Sequence, residues 1–435
     1  MNNLLDNGLQ SRRVAFQILQ EVLMRNTPLD QVLDRHEELK TLDSRDKSFV
    51  RMLVGTSLRR KGQLDDMIGR VAEKELHPAN LRYVLYVGIT QLLFMNVPHH
   101  AAVNTTVELA ELENMSGQKG FINAVLRRII SEGQEWQKKQ DPVQMNIPQW
   151  LLKLWIEDYG LREAAEIAQA SLSEAHTDIT IKNASEQKYW AEELKGTVLP
   201  TGSVRLSAAG NITELSGFEE GHWWVQDASA SLPAKILGDL NGKTVIDLCA
   251  APGGKTAQLA AGGAQVVAVD RSAKRLERLR ENMDRLHLTD RVTIMVGDGG
   301  VWQPSAPVDV VLLDAPCTAT GTLRRHPDVM HLKGNKDLNQ LMGLQSRLLD
   351  NAAAMVKTGG MLIYCTCSLQ KSEGELQVDV FLANHPDFAR QAITADEVGG
   401  VEALLTPEGD LRVLPYHLAP HGGMDGFYVA RMVKR

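Results

Sequence analysis

The sequence contains few cysteines and no long apolar stretch. Four cysteines among 435 residues are too few for a disulfide framework, so a reducing, cytoplasmic environment is expected. No window reaches the roughly 18 consecutive apolar residues that a membrane helix needs, and no membrane contact is expected. The opening stretch MNNLLDNGLQSRR also lacks the apolar centre of a secretory signal.

The sequence also lacks the excess of positive charge that is common among proteins that bind nucleic acids. Its formal net charge is −7. The region 141–240 is the most acidic, with 7 lysines and arginines against 15 aspartates and glutamates. Because bulk negative charge repels phosphates, any contact with nucleic acid must use a local basic patch.

The length of the chain and the change of pattern along it predict three domains. A chain of 435 residues exceeds the usual size of one hydrophobic core. We predict an all-α bundle over 1–140, linker helices with a small α/β subdomain over 141–240, and a Rossmann-like α/β domain over 241–435. The stretch DPVQMNIP at 141–148 has the composition of a boundary.

Helical periodicity runs through the first 140 residues. A helix is predicted to begin near Asp43-Ser44, because both residue types cap helices well. Pro78 is predicted in the first turn of a second helix, and Pro98 is predicted to open a third. Five or more helices with short links indicate a compact bundle.

Short helical and strand-like segments alternate in the middle region. WLLKLWIEDYG and LREAAEIAQASL predict two helices. DITIKN and SVRLSA predict two strands on either side of a helix at 186–194.

From about residue 243, short apolar runs alternate with helical stretches. The runs are TVIDL, QVVAVD, VTIMVGD, DVVLLDAP, MLIYCTCS and GFYVARMV. Such alternation predicts a parallel sheet with helices on both faces. Because ligands bind beyond the carboxyl ends of such strands, the residues at those ends are the candidates for function.

The first of these strands leads into the glycine-rich segment DLCAAPGGKT, residues 247–256. Gly253 and Gly254 allow a tight turn and a close approach to a ligand, and the helix that follows favours an anionic group. Asp270 ends the second strand, where a carboxylate accepts hydrogen bonds from ribose hydroxyls. Asp298 and Asp314 end the next two strands.

Two phosphate-binding motifs were compared with this segment. A phosphate-binding loop, G-x-x-x-x-G-K-[ST], would need glycine at position 249, which is Cys249. The spacing is also not that of the dinucleotide motif G-x-G-x-x-G. An adenosine that carries an amino-acid tail fits the arrangement better than a pyrophosphate does.

The motifs DLCAAPGGKT, VDRS, GD, DAPCTATG and YCTCS, in this order, resemble those of the RNA cytosine-5 methyltransferases over residues 243–435. The segment GHWWVQDASASL resembles the segment that leads into the catalytic domain in this family. The N-terminal region resembles the NusB-like RNA-binding bundle, with KGFINAVLRR as its best segment. The combination implies a cytoplasmic, monomeric enzyme that uses S-adenosylmethionine and no metal and acts on 16S ribosomal RNA.

The resemblance also implies which residues bind S-adenosylmethionine. They are Cys249, Ala250, Ala251, Pro252, Gly253, Gly254, Lys255, Asp270, Asp298 and Asp314.

Methylation at carbon 5 of cytosine needs an activated cysteine, because that carbon is a poor nucleophile until a thiolate adds at carbon 6. Cys317 and Cys367 both follow strands, and the residues alone leave their roles interchangeable. The resemblance implies that Cys367 attacks and Cys317 assists release, with Asp314 near ring nitrogen 3. Lys255 and Arg324-Arg325 are candidate positive neighbours of the thiolate.

The remaining two cysteines, Cys249 and Cys365, are interpreted as small buried residues. A zinc site is not expected, because no C-x-x-C pair occurs.

Three clusters are candidate phosphate contacts, each with a solvated surface as the alternative: Arg324-Arg325-His326, Arg59-Arg60-Lys61 and Arg127-Arg128. A different class of function is a non-catalytic RNA-binding or transcription factor with a vestigial enzyme domain. The intact cysteine pair and the complete set of acidic strand ends disfavour it. Methylation of another nucleobase or of protein is disfavoured by the pairing of DAPC with TCS.

Overall fold

A computed structural model describes residues 7–72, 75–208 and 210–435. Within these ranges, none of the helices combines the length and the apolar character needed to cross a membrane. The chain forms two compact units. One comprises Met1–Lys153 with Arg325–Leu332, and the other comprises Leu154–Arg324 with Lys333–Arg435.

The helices before residue 149 form the first unit. They are α1 Asn7–Arg25, α2 Leu29–Arg35, α3 Glu37–Thr41, α4 Ser44–Arg59, α5 Lys61–Val71, α6 Leu81–Phe94, α7 His99–Leu112, α8 Lys119–Lys139 and α9 Pro142–Asn146. Phe16, Leu53, Leu85 and Leu126 are fully buried in its core. The helical bundle predicted for this region is therefore confirmed.

Two of the three predicted helix starts are confirmed. Asp43 caps α4, because its side chain accepts a hydrogen bond from the Asp46 backbone N–H at 2.7 Å. Pro98 directly precedes α7. The prediction for Pro78 is wrong, because α6 begins only at Leu81 and Pro78 lies in the loop before it.

The helices after α9 belong largely to the second unit. They are α10 Gln149–Ser171, α11 Gln187–Glu193, α12 Leu232–Lys235, α13 Gly254–Ala261, α14 Ala273–Arg285, α15 Val329–Leu332, α16 Asn335–Met355 and α17 Glu375–Asn384. Gly160, with φ of 83°, divides α10 into the two helical segments that the sequence predicted.

Residues 325–332, which include α15, pack with the helices of the first unit. The Leu29 backbone N–H donates to Asp328 at 2.9 Å. The ring nitrogen Nε2 of His331 lies 2.8 Å from the Leu58 carbonyl oxygen. A segment that follows the DAPC motif in sequence thus completes the helical unit.

A small antiparallel sheet lies in the middle region. Its strands are β1 Asp178–Ile181, β2 Gly196–Val198, β3 Val204–Leu206 and β4 Trp223–Val225, in the order β2-β3-β1-β4. The two predicted strands and the helix between them correspond to β1, β3 and α11. This sheet belongs to the same compact unit as the large sheet, and the division into three domains stays a prediction.

The large sheet has eight strands. They are β5 Thr244–Leu248, β6 Gln265–Asp270, β7 Val292–Val296, β8 Val308–Asp314, β9 Val356–Thr366, β10 Phe388–Arg390, β11 Leu411–Val413 and β12 Phe427–Lys434. The order is β10-β12-β9-β8-β5-β6-β7, and β11 also pairs with β12. This is the predicted Rossmann-like architecture, with apolar strands buried between helices.

The sheet is mixed, whereas the sequence predicted a parallel one. The first five predicted strands, β5 to β9, pair in parallel. The sixth, β12, pairs antiparallel with β9. The strands β10 and β11 have three residues each, too short to give a periodic signal in the sequence.

A buried ion pair holds the small sheet against the C-terminal segment of the same unit. The Arg205 guanidinium donates to both carboxylate oxygens of Asp178 at 2.7 Å. It also donates to the carbonyl oxygens of His421 and Gly423 at 2.6 and 2.7 Å. The Arg205 and Asp178 side chains are 7% and 0% exposed. Because little water reaches either group, each charge is stabilised mainly by the other.

We expect Asp178→Asn to destabilise the protein by about 3 kcal/mol, because it leaves the Arg205 charge buried without its counterion. Urea unfolding followed by circular dichroism measures the change. The control is Glu166→Gln, which breaks an exposed pair with Arg162 on α10 and should cost less than about 0.5 kcal/mol. Equal effects of the two variants would contradict the assignment.

Candidate active site

The predicted site residues meet at one edge of the large sheet, which we call the carboxyl edge. The parallel strands β5, β6, β7, β8 and β9 all end there. The register places Leu248 opposite Leu313 and Val269, and Asp314 opposite Cys365. Residues that are far apart in sequence are therefore neighbours at this edge.

The glycine-rich loop makes its tight turn at Gly253. This residue has φ of 104°, and a Cβ atom there would lie 2.8 Å from Leu279 Cγ, so only glycine fits without strain. Helix α13 begins at the next residue, Gly254, as expected. A Cβ on Gly254 would approach nothing closer than 3.6 Å, so only one of the two predicted glycines is required by the turn.

Asp270, at the end of β6, joins the glycine-rich loop to α14. One carboxylate oxygen accepts from the Ser272 backbone N–H at 2.9 Å. The other accepts from the Ala251 backbone N–H at 3.2 Å and from the Arg275 guanidinium at 3.3 Å. Because an ionised carboxylate offers about four lone-pair positions, Asp270 keeps capacity for a further donor such as a hydroxyl.

A cavity of about 270 Å³, here called the edge cavity, opens at the carboxyl edge. Three of the predicted cofactor residues line it: Cys249, Asp270 and Asp298. The other lining residues are Val269, Arg271, Arg275, Gly297, Gly299, Pro316, Leu344, Arg347 and Leu348. The edge cavity combines acceptors and apolar walls, which suits a nucleoside.

The edge cavity also contains residues that the sequence analysis missed. Arg271 directly follows Asp270, so its position after a strand could have indicated it. Leu344, Arg347 and Leu348 lie on α16, and no motif marks them. Only the packing of α16 against β8 and β9 brings them to the cavity.

Lys255 and Asp314 form an ion pair at the carboxyl edge. The Lys255 ammonium group donates to one Asp314 oxygen at 2.7 Å and lies 5.0 Å from the centre of the Phe427 ring. The other Asp314 oxygen accepts from the Cys365 thiol at 3.6 Å. Burial, the largest single influence, would lower the pKa of Lys255, but the charges of Asp314, Cys365 and Asp247 and the hydrogen bond to Asp314 together raise that pKa.

The two predicted catalytic thiols lie together. The Cys317 and Cys367 sulfur atoms are 3.5 Å apart, within hydrogen-bond distance, and both side chains are half-buried. The hydrogen bond to Cys367, burial and the negative charges of Cys367 and Glu373 raise the pKa of Cys317 well above its ordinary value. Cys317 therefore holds its proton, which it can donate to the sulfur of Cys367.

A buried carboxylate, missed by the sequence analysis, lies behind this thiol pair. Glu373 accepts hydrogen bonds from the side chains of Thr318, Ser368 and Gln345. Thr318 and Ser368 directly follow the two cysteines. Glu373 lies after the TCS motif in a 3-10 turn, Lys371–Glu373, where a single glutamate carries no signal of its own.

The other two thiols are held as thiols. Burial, followed by the charges of Asp314 and Asp270, raises the pKa of Cys249 to about 12. Burial and Asp314 also raise the pKa of Cys365. In the part of the chain that the structure describes, no group of three or more His, Cys, Asp or Glu side chains could hold a metal ion.

Two of the predicted basic contacts are wrong. Arg324 is only 2% exposed, because its guanidinium donates to the carbonyl oxygens of Glu174 and Gly422. Arg59 is 7% exposed, within α4. Arg127 and Arg128 on α8 are exposed, as predicted.

A buried carboxyl group, Asp247, lies beneath the glycine-rich loop. It is fully buried in β5, and one of its oxygens accepts from the Thr256 hydroxyl at 2.6 Å. Its other oxygen has no hydrogen-bond partner within the described residues. Burial is the main reason that the pKa of Asp247 rises to about 7.

We expect Asp247→Asn to stabilise the protein by on the order of 2 kcal/mol more at pH 8 than at pH 5. The folded state binds the Asp247 proton more tightly than the unfolded state does. The stability of the native chain therefore falls as the pH rises toward and through about 7. Urea unfolding at the two pH values measures the difference.

Asp309→Asn is the control with the opposite sign. The hydrogen bond from Lys357 lowers the pKa of Asp309, so its contribution is present at neutral pH and is lost as the pH falls. This variant should be destabilised at pH 8 and less so at pH 3.5. Equal effects of Asp247→Asn at pH 5 and pH 8 would show that Asp247 is not buried as a neutral acid.

Comparison with solved structures identifies the class of protein. A protein described as PH0851 superposes with a TM-score of 0.75 at 24% identity, covering 99% of both chains. A methyltransferase homolog from Pyrococcus horikoshii superposes with a TM-score of 0.53 at 25% identity, covering 66% of this chain and all of the other. The fold and the carboxyl-edge site define an S-adenosylmethionine-dependent methyltransferase.

Comparison of sequences identifies the family. Residues 234–433 match the model described as 16S rRNA methyltransferase RsmB/F, and residues 9–131 match that of the NusB family. The probable ribosomal RNA small subunit methyltransferase B of Synechocystis sp. is 33% identical, with 98% of this chain and 100% of the relative covered. The enzyme of that name from Pseudomonas putida is 35% identical, with coverages of 98% and 99%. The chain belongs to the RsmB/F family of 16S rRNA methyltransferases.

Proposed function

We propose that the protein transfers a methyl group from S-adenosylmethionine to carbon 5 of a cytosine in 16S ribosomal RNA. The observation that carries this proposal is the 3.5 Å separation of the Cys317 and Cys367 sulfur atoms. Pro316, which precedes Cys317, lines the edge cavity, so the thiol pair adjoins the cofactor side of the site. Two adjoining thiols match a reaction that needs one nucleophile and one proton acceptor.

The residues of the glycine-rich loop, Cys249 to Lys255, and Asp270, Asp298 and Asp314 are proposed to hold the cofactor. The unused acceptor capacity of Asp270 suits a ribose hydroxyl. The apolar side chains of Leu344 and Leu348 offer a surface for the adenine ring. When bound, S-adenosylmethionine supplies an electrophilic methyl group.

Cys367 is proposed as the nucleophile. Its thiolate adds to carbon 6 of the cytosine, and carbon 5 then becomes nucleophilic enough to accept the methyl group. A hydrogen bond donated by the Cys317 thiol stabilises negative charge on the Cys367 sulfur before attack. This direction of the hydrogen bond favours Cys367 over Cys317 as the attacking group.

Cys317 is proposed to complete the reaction. Once Cys367 is bonded to carbon 6, the negative charge beside Cys317 is gone, so Cys317 can release its proton to water. Its thiolate then removes the proton from carbon 5, and Cys367 leaves as a thiolate. Asp314, paired with Lys255, is proposed to accept a hydrogen bond from the cytosine amino group beside ring nitrogen 3.

We expect Cys367→Ala to abolish methylation and to form no covalent complex with RNA, because the attacking sulfur is absent. Cys317→Ala should accumulate a covalent complex, because the carbon-5 proton is not removed. Denaturing gel electrophoresis with labelled 16S RNA measures the complex, and bisulfite mapping measures the methyl group. Cys365→Ala is the control and should form methylated product without trapping. A covalent complex with Cys367→Ala would reverse the two roles.

An exposed basic surface on α14 and the turn before it, here called the basic ridge, supports RNA as the substrate. It comprises Arg271, Lys274, Arg275 and Arg278, all exposed. The spacing of three and four residues places Lys274, Arg275 and Arg278 on one face of α14, and Arg271 lies just before the helix. Arg271 and Arg275 also line the edge cavity, so phosphates beside a bound cytosine would meet this face. The basic ridge supplies the local positive charge that a chain of net charge −7 needs.

We expect Lys274→Ala/Arg278→Ala to weaken RNA binding and to reduce the slope of log K against log salt by about 1.4, because two phosphate contacts to single-stranded RNA are lost. Filter binding over a range of salt concentrations measures both. Cofactor affinity, measured by calorimetry, should change less than about twofold, because neither side chain lines the edge cavity. Arg280→Ala, on the opposite face of α14, is the control. An unchanged salt slope would rule out the basic ridge.

A further inference from the structure

Glu373 is a fully buried carboxylate that the reaction proposed above does not use. Its Oε1 atom accepts from the Thr318 backbone N–H at 3.0 Å and from the Gln345 amide at 2.9 Å. Its Oε2 atom accepts from the Thr318 hydroxyl at 2.5 Å and from the Ser368 hydroxyl at 2.6 Å. All four donors are neutral groups, so the hydrogen bonds themselves must offset the cost of burying the charge.

Three of the four donors to Glu373 come from the two loops that carry the thiols. Thr318 directly follows Cys317, and Ser368 directly follows Cys367. The same carboxylate oxygen, Oε2, accepts from both hydroxyls. The loop after β8 and the loop after β9 are therefore joined at one atom, directly behind the thiol pair.

Gln345 joins a third element to this arrangement. It lies on α16 and is buried. Its amide group donates to Glu373 and also to the Pro316 carbonyl oxygen at 2.9 Å. Glu373 thus hydrogen-bonds directly to Thr318, which follows Cys317. Through Gln345 it is also linked to Pro316, which precedes Cys317.

We infer that Glu373 is a positioning residue, whose carboxylate holds the Cys317 and Cys367 loops at the separation that the two-thiol reaction needs. The inference rests on the proposed function. Glu373 hydrogen-bonds to neither sulfur, so it acts through Thr318 and Ser368. A displacement of about 1 Å between reacting groups can reduce a rate on the order of a hundredfold.

The charge of Glu373 has a second, independent effect. It is among the causes that raise the pKa of Cys317, after the hydrogen bond to Cys367, burial and the charge of Cys367. Four other ionisable side chains face the same loops, among them Tyr159, which donates to the Leu369 carbonyl oxygen, and Asp158, which accepts from the Lys371 backbone N–H. Tyr364 donates to the Glu373 carbonyl oxygen at 2.7 Å, and Arg412 donates to the Ser368 carbonyl oxygen at 2.6 Å. Replacing Glu373 with a neutral side chain should therefore lower the pKa of Cys317.

The test is Glu373→Gln in the full-length protein. The amide places an N–H group where Oε1 or Oε2 now accepts, so one of the two loops must shift. We expect kcat for RNA methylation to fall by about tenfold or more, while KM for RNA and the affinity for S-adenosylmethionine change less than about twofold. The alkaline limb of the pH–rate profile should move to lower pH, because Cys317 loses its proton more readily.

Asp410→Asn is the matched control. Asp410 is also a buried carboxylate of the same unit, but it accepts from Arg390 and Tyr428. Its substitution should leave the pH–rate profile unchanged. Ser368→Ala removes the bond from the Cys367 loop to Glu373, together with the bonds of the Ser368 hydroxyl to Gln370. It should lower kcat by a smaller factor, and it tests the inference if Glu373→Gln does not fold.

These measurements distinguish a failure of the inference about Glu373 from a failure of the proposed function. If Cys367→Ala forms no covalent complex but Glu373→Gln and Ser368→Ala both keep the native kcat and pH profile, the inference about Glu373 is overturned and the proposed function stands. If the native enzyme methylates no cytosine, the proposed function itself fails. A loss of kcat in Glu373→Gln with an unchanged pH profile, matched by Asp410→Asn, would reduce Glu373 to a general structural role and overturn the inference.

Discussion

The parallel pairing of β8 with β9 is the constraint on which the site depends. It places Asp314 opposite Cys365, so the loops that follow the two strands leave the sheet side by side. The Gly321 backbone N–H then donates to the Cys367 carbonyl oxygen at 2.9 Å. A Cβ atom on Gly321 would lie 2.1 Å from a backbone oxygen of Gly426. The loops can approach this closely only because position 321 is glycine.

Charge at the carboxyl edge is arranged around one lysine. Asp247, Asp270 and Asp314 end or nearly end three neighbouring strands, and Lys255 pairs directly with Asp314. The three carboxylates differ in how they are solvated. Asp270 accepts three hydrogen bonds from the loops around it, whereas Asp247 has a single donor. With so few donors, burial dominates the pKa of Asp247 and raises it.

The chain is acidic overall and can still bind RNA, because its charge is distributed unevenly. The most acidic stretch, 141–240, lies in the middle region, whereas the basic ridge lies on one face of α14 and the turn before it. The net charge of a protein influences its solubility and its long-range attraction to other molecules. A basic surface patch depends instead on where individual side chains lie. The position of the patch follows from the amphipathic periodicity of α14, whose Leu276, Leu279 and Met283 face the core.

The sequence by itself predicted the strands β5 to β9 and β12 and singled out Cys317 and Cys367. Apolar runs at β5 to β9 and the glycine at position 253 are local signals, because strand burial and a left-handed backbone each constrain the residues concerned. Tertiary structure alone decided which groups surround those residues. Arg324 of the predicted basic cluster is buried, and Glu373 joins the two thiol loops. Neither fact is encoded locally, because both depend on contacts between segments that are distant in the chain.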